Sequence, residues 1–146
     1  MLAHESPPSR MLLRVGLLLW LAAAVASAWE VLALQPPDSP FHLGVLAGPI
    51  AQLYTMAFAL GAAFMLLGLW WPSLYHLGEG EVVAWLLVVG AAVQMAALFY
   101  AASRGLMAVQ ILDPRGDAKL ALYGRGLGHV ITLCAGLAVF VRALRR

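Results

Sequence analysis

Arg125 and His129 stand one helical turn apart at the head of "GRGLGHVITLCAGLAVFV" (124–141), a run that otherwise has the composition of a membrane interior. A charged group at the centre of a bilayer costs at least ~3 kcal/mol unless it is paired or reaches water. Other apolar runs carry polar groups too: Glu30 in the first, Gln52 and Tyr54 in the second, Gln94 and Tyr100 in the third. Depths follow from 1.5 Å per helical residue, counted from Arg14, Trp71, Glu81 and Arg142. Gln94 and His129 then fall at about 20 Å, and Glu30, Gln52, Tyr54, Tyr100 and Arg125 at about 24–28 Å. Every apolar run therefore supplies polar groups to the same half of the membrane.

These residue types suit one chemistry in particular. Tyr, Gln, His, Glu and Arg hydrogen-bond to the carbonyls of a quinone, and Glu or His can accept the protons that a quinol releases. His129, Gln94, Tyr54, Arg125 and Glu30 form the candidate cofactor-binding set. The plainer reading has Glu30 and Arg125 as a salt bridge that fixes the register of the first run against the fourth, with His129 bonded to Gln94 or a neighbouring carbonyl. Haem b needs two histidines facing each other at one depth. Of His4, His42, His76 and His129, no two meet that condition, so a haem would have to be shared with another subunit through His129. The sequence requires no cofactor.

Other chemistry is poorly supported. Asp38 and His42 in "PDSPFHLG" are two ligands, too few for a metal site. Thr132 lies one turn from His129, where a hydroxyl usually bonds to its own backbone, and nothing else resembles a nucleophile with its base. "GRGLG" contains part of a dinucleotide-loop pattern, but no strand precedes it, so its glycines are expected to serve packing. Cys134 is the only cysteine, which rules out an internal disulfide or a CxxC motif. The chain is not expected to be an enzyme by itself.

Composition explains what must position these groups. The 146 residues are 63% hydrophobic and 11% charged, with mean hydropathy +0.87, whereas soluble domains are roughly 45–50% apolar and 25% charged. Four stretches, 12–34, 44–71, 82–103 and 121–141, are long enough to cross a bilayer core, which takes about 20 helical residues. The first also resembles a secretory signal, with "ASA" at 26–28, and we read it as a retained span. "QPPDSP", "WWPSLYHLGEGE" and "QILDPRGDAK" separate the spans with turn residues. The Trp70/Trp71 pair suits the headgroup zone, Glu79 and Glu81 suit the start of the third helix, and residues 1–10 are expected to form a disordered tail.

The expected fold is all-α: one integral-membrane four-helix bundle of up-down topology. Gly124, Gly128, Thr132 and Gly136 make a small-residue stripe on the fourth span, and Ala22/Ala26, Ala24/Ala28, Ala92/Ala96 and Ala97/Ala101 offer similar surfaces. Aligning 32–69 with 107–144 matches six residues, among them Gly61 with Gly136, a hint that two hairpins form a pseudo-repeat. Arg10 and Arg14 before the first span, with Arg142, Arg145 and Arg146 after the last, put both termini in the cytoplasm of a bacterial inner membrane. The charges sit at span ends, which argues against nucleic-acid binding. The leading expectation is a non-catalytic accessory subunit of a larger membrane complex, respiratory or electron-transferring, surrounded by lipid and other membrane subunits. A quinone- or haem-binding redox subunit and a small homo-oligomeric transporter are the alternatives.

Overall fold

The computed structural model describes residues 6–33, 49–76, 79–104 and 116–145, apart from the side chains of 29–33 and 49–51. Four helices occupy these segments: α1 Pro7–Ala33, α2 Pro49–Leu74, α3 Glu81–Ser103 and α4 Asp117–Leu144. Their 27, 26, 23 and 28 residues make them ~35–42 Å long, and all four are long and apolar enough to cross a membrane.

The helices match the four expected spans, with shifted ends. The expectation of a disordered tail over 1–10 is wrong for its last residues, because α1 starts at Pro7. Ser6 caps it, accepting the Ser9 N–H on Oγ at 3.4 Å and the Arg10 N–H on its carbonyl at 3.2 Å. Pro7 and Pro8 stand in the first turn, where the missing N–H groups would have had no helical partner. Residues 1–5 and 44–48 lie outside the described residues.

α1 packs chiefly on α2, and α3 on α4, each pair antiparallel. The first hairpin closes on Gly16 and Gly61. A β-carbon on either glycine would come within 2.7 Å of the other's carbonyl oxygen, so only hydrogen fits at this crossing. About two turns nearer the chain start, Ser9 donates its hydroxyl to the Gly68 carbonyl at 2.7 Å and is 1% exposed. Pro72 explains this bond. It has no N–H to give the carbonyl four residues back, so Gly68 would be left with an orphaned acceptor. At the other end Trp20 and Phe58 meet edge to face, with ring centroids 5.4 Å apart.

The second hairpin repeats the device. Gly90 and Gly128 oppose each other, and a β-carbon on Gly128 would come within 2.8 Å of the Gly90 carbonyl oxygen. The buried seam of α3 is Ala84, Leu87, Ala91, Gln94, Leu98 and Ala101, the alternating three-and-four spacing of a helix-packing stripe. Ala92 and Ala96 are off that seam, and both are exposed. On α4 the expected every-fourth-residue stripe holds only in part. Gly128 and Thr132 face α3, but a β-carbon on Gly136 would meet nothing within 4 Å. Four residues overshoot a 3.6-residue turn by about 40°, so three such steps carry Gly136 well around the helix, and Ala135 and Val139 continue the seam instead. The counterpart of Gly61 in the second hairpin is accordingly Gly128, where the sequence alignment had paired it with Gly136.

The hairpins join mainly where α2 meets α3, over a core that includes Leu12, Phe64, Trp71, Leu87 and Val139. Trp71 is fully buried and stacks on Tyr75 at 4.6 Å, while Trp70 is 70% exposed, so of the pair expected at the headgroup zone only Trp70 faces outward. Gly80 turns the chain into α3 with φ +79°, and its α-carbon lies so close to the Tyr75 and Trp71 rings that a side chain there would collide with them. Outward-facing residues include Leu17, Leu66, Trp85, Phe99, Leu133 and Phe140. Small groups at the helix crossings and large apolar groups on the outer faces form the arrangement expected of helices packed in lipid.

Gly128→Leu is expected to lower stability by about 1–3 kcal/mol or more through overpacking, whereas Gly136→Leu should be close to neutral. Thermal unfolding of the two variants in one detergent separates them. Equal melting temperatures would show that the crossing does not hold the hairpin.

Candidate functional site

Because α2 and α4 barely approach each other, the two hairpins leave a groove between them. It is an open cavity of about 780 Å³. One face of α2 lines it with Gln52, Thr55, Met56, Ala59, Leu60 and Ala63, at the three-, four- and seven-residue spacings that share a helix face. Arg125, His129, Thr132 and Leu133 line it from α4 by the same rule, and Gln94 reaches it from α3. α2 and α4 run in the same direction, so the early residues of both, Gln52 and Arg125, meet at one end. That end is polar, and the continuation past Leu60, Ala63 and Leu133 is apolar.

Within the polar end each group has a defined partner. Arg125 Nη1 donates to Gln52 Oε1 at 2.9 Å, a bond that ties the hairpins together across the groove. Gln94 is 2% exposed and donates from Nε2 to Thr132 Oγ1 at 2.8 Å. The Thr132 hydroxyl in turn donates to the Gly128 carbonyl at 2.9 Å, the backbone bond expected of it. His129 Nδ1 lies 3.0 Å from the Arg125 carbonyl oxygen. A carbonyl can only accept, so Nδ1 carries the hydrogen, and in the neutral ring Nε2 is an acceptor. Of the two partners expected for His129, the structure supplies the neighbouring carbonyl; Gln94 is bonded to Thr132.

Three of the five sequence-predicted site residues, Gln94, Arg125 and His129, thus line one cavity. Tyr54 is not among its lining residues. It lies two positions from Gln52, about 200° around the helix, and so points away from the side that faces α4. Glu30 is in the last turn of α1, and its side chain falls outside the described residues, as do Asp38 and His42. The partner described for Arg125 is therefore Gln52, and among the described residues no carboxylate pairs with it. Tyr100 shared a predicted level with Arg125, yet it serves the hairpin end. Its hydroxyl donates to Asp117 Oδ1 at 2.9 Å, beside an Arg104–Asp117 ion pair at 3.7 Å. Gln52 and Thr132 were legible as polar residues at the right depth. Their roles as partners of Arg125 and Gln94 depend on helix order, which spacing does not give.

Among the described residues, no three His, Cys, Asp or Glu side chains gather as a metal site. His76 follows α2 at the opposite end from His129 and cannot face it across one haem. No protein-family model matches the chain, and no curated protein or solved structure matches it either.

Gln94→Leu removes the interhelical bond but leaves Thr132 its carbonyl partner. The expected loss is about 0.6–2 kcal/mol, and Thr132→Val in the Gln94→Leu background should add little. Thermal unfolding of both single variants and the double variant measures this coupling; strictly additive losses would show that the two side chains do not interact.

Proposed function

We propose that the chain is an integral membrane protein that crosses the bilayer four times, up and down. In this reading it is a non-catalytic accessory subunit of a larger membrane complex, and its inter-hairpin groove holds a quinone or a similarly amphipathic molecule. One observation carries the ligand reading: polar side chains from three helices converge at one end of an open groove that is otherwise apolar. An amphiphile entering from lipid would seat its tail along Leu60, Ala63 and Leu133. Its carbonyl head would meet the Arg125 guanidinium, and a hydroxyl could donate to His129 Nε2. The volume of about 780 Å³ falls within the roughly 300–1,000 Å³ of small-molecule sites. The gathering of Arg10, Arg14, Arg142 and Arg145 at the end away from the groove's polar head supports cytoplasmic termini.

The subunit reading rests on the apolar outer faces of the described helices and the short connections between them. An electron-transfer complex of a bacterial inner membrane is the setting that would make use of a quinone. Haem b is the weaker alternative, since His129 would need its facing ligand from another chain.

A photoreactive azido-quinone added to the protein in nanodiscs is expected to label peptides containing 52–63 and 125–133. His129→Ala and Gln52→Leu should cut that labelling about tenfold, the loss of roughly one hydrogen bond of 1.4 kcal/mol. Labelling spread evenly over the outer helix faces would overturn the ligand reading. Native mass spectrometry of the protein, extracted from its own membranes in mild detergent, tests the subunit reading. Other polypeptides in the mass support it, and the chain alone or its multiples would overturn it, multiples favouring a homo-oligomeric carrier.

A further inference from the structure

The opposite end of the bundle carries a second recess, away from the groove. It is a cleft of about 400 Å³ between the α2–α3 turn and the last turns of α4, lined by Tyr75, Leu137, Ala138, Val141, Arg142 and Arg145. We propose that this cleft binds the phosphate of an anionic phospholipid, with one acyl chain lying along α4.

Arg142 is held in place before any ligand arrives. Its Nε donates to the Leu74 carbonyl at 3.2 Å, its Nη2 to Glu79 Oε2 at 2.7 Å, and its guanidinium lies 5.7 Å from the Tyr75 ring centroid. These bonds leave Nη1 uncommitted and close the end of α4 onto the turn that precedes α3. Glu79 offsets the charge of Arg142. Arg145, one turn on, is exposed and has no carboxylate partner among the described residues. This end of the bundle holds Arg10, Arg14, Arg142 and Arg145 against Glu79 and Glu81, an excess of positive charge where an anion is favoured. The carbonyls at the end of α4 repel an anion, so the arginines must supply the attraction. Burial pushes the Tyr75 phenol above its ordinary pKa, with Arg142 opposing in part, so its hydroxyl keeps a proton to donate.

The cleft's floor selects a lipid over a free anion. Leu137 and Val141 are 52% and 43% exposed, and with Ala138 they form one stripe of α4 leading from the arginines toward the membrane interior. A phosphodiester held between Arg142 and Arg145 would lay its chain on that stripe. A zwitterionic headgroup would bring its own cation against Arg145, which disfavours it. The proposal rests on the chain lying in a bilayer, but not on the groove having a ligand, since no residue is shared between the two recesses.

The test is lipid retention by the full chain in detergent, read by native mass spectrometry, with phosphatidylglycerol, phosphatidylcholine or inorganic phosphate added. The wild type should keep one phosphatidylglycerol in preference to phosphatidylcholine. Arg145→Gln, which breaks no bond within the protein, should lower that preference roughly fivefold. Arg104→Gln at the far end should leave it unchanged. Equal retention of the two lipids, or an Arg145→Gln variant that keeps the preference, would overturn the proposal. Displacement of the lipid by millimolar inorganic phosphate would overturn the lipid assignment and leave a free-phosphate site. If the lipid site fails while the azido-quinone still labels the groove, the membrane reading survives without this cleft.

Discussion

Both hairpins depend on one constraint: two backbones must approach until a glycine of each faces the carbonyl of the other. In water, helices are driven together by burying large apolar side chains. Lipid is as apolar as leucine, so that drive is missing and close van der Waals contact has to replace it. Gly16 against Gly61 and Gly90 against Gly128 provide that contact. The rest of each hairpin is arranged around the crossing. Ser9 repairs the carbonyl that Pro72 orphans, and Gln94 bonds across the seam to Thr132 one turn from Gly128. A larger residue at either crossing would push these partners apart and strain both bonds.

The tightness within hairpins produces the looseness between them. Glycine seams draw α1 to α2 and α3 to α4, while α2 and α4 have no such seam facing each other. Long arginine side chains join them instead, Arg125 to Gln52 at the groove's head and Arg142 to the Leu74 carbonyl at the other end. A guanidinium on a three-carbon stem can hold two helices together only at a distance, and that distance is the width of the groove. The polar head of the site and the gap that makes it a site therefore have the same origin.

The sequence carried the elements clearly and their arrangement poorly. Length and hydropathy located all four helices, because crossing about 30 Å of hydrocarbon demands about 20 apolar residues regardless of neighbours. The shared depth of Gln94 and His129, with Gln52 and Arg125 together one level above, was also legible, since rise per residue fixes depth along any straight helix. Azimuth was not. Tyr54 has the right depth and the wrong face, and Gly136 follows the right stripe for one step too many. The hairpin offset was obscured for a related reason: the two pairs of helices cross at glycines whose spacing along the chain differs, so one fixed alignment could not match both. Glu79 shows a further gap. Beside Glu81 it was accounted for by the start of α3, and its bond to Arg142 required knowing that α4 ends against that turn.

The two ends of the bundle hold their arginines in opposite ways, and the difference follows from what each can reach. Arg142 sits at a helix end, where a carboxylate and a free carbonyl are both within range, and it spends three interactions on locking the turn. Arg125 sits inside an apolar run, where its described partner is a neutral amide. A carboxylate there would neutralise the guanidinium and close the groove's head as an ion pair. An amide satisfies one donor and leaves the charge in place, so the remaining donors still favour an oxygen-rich group. Under the proposed function, the donors that Gln52 leaves free are the physical reason a polar ligand head, rather than lipid tails alone, would suit this end of the groove.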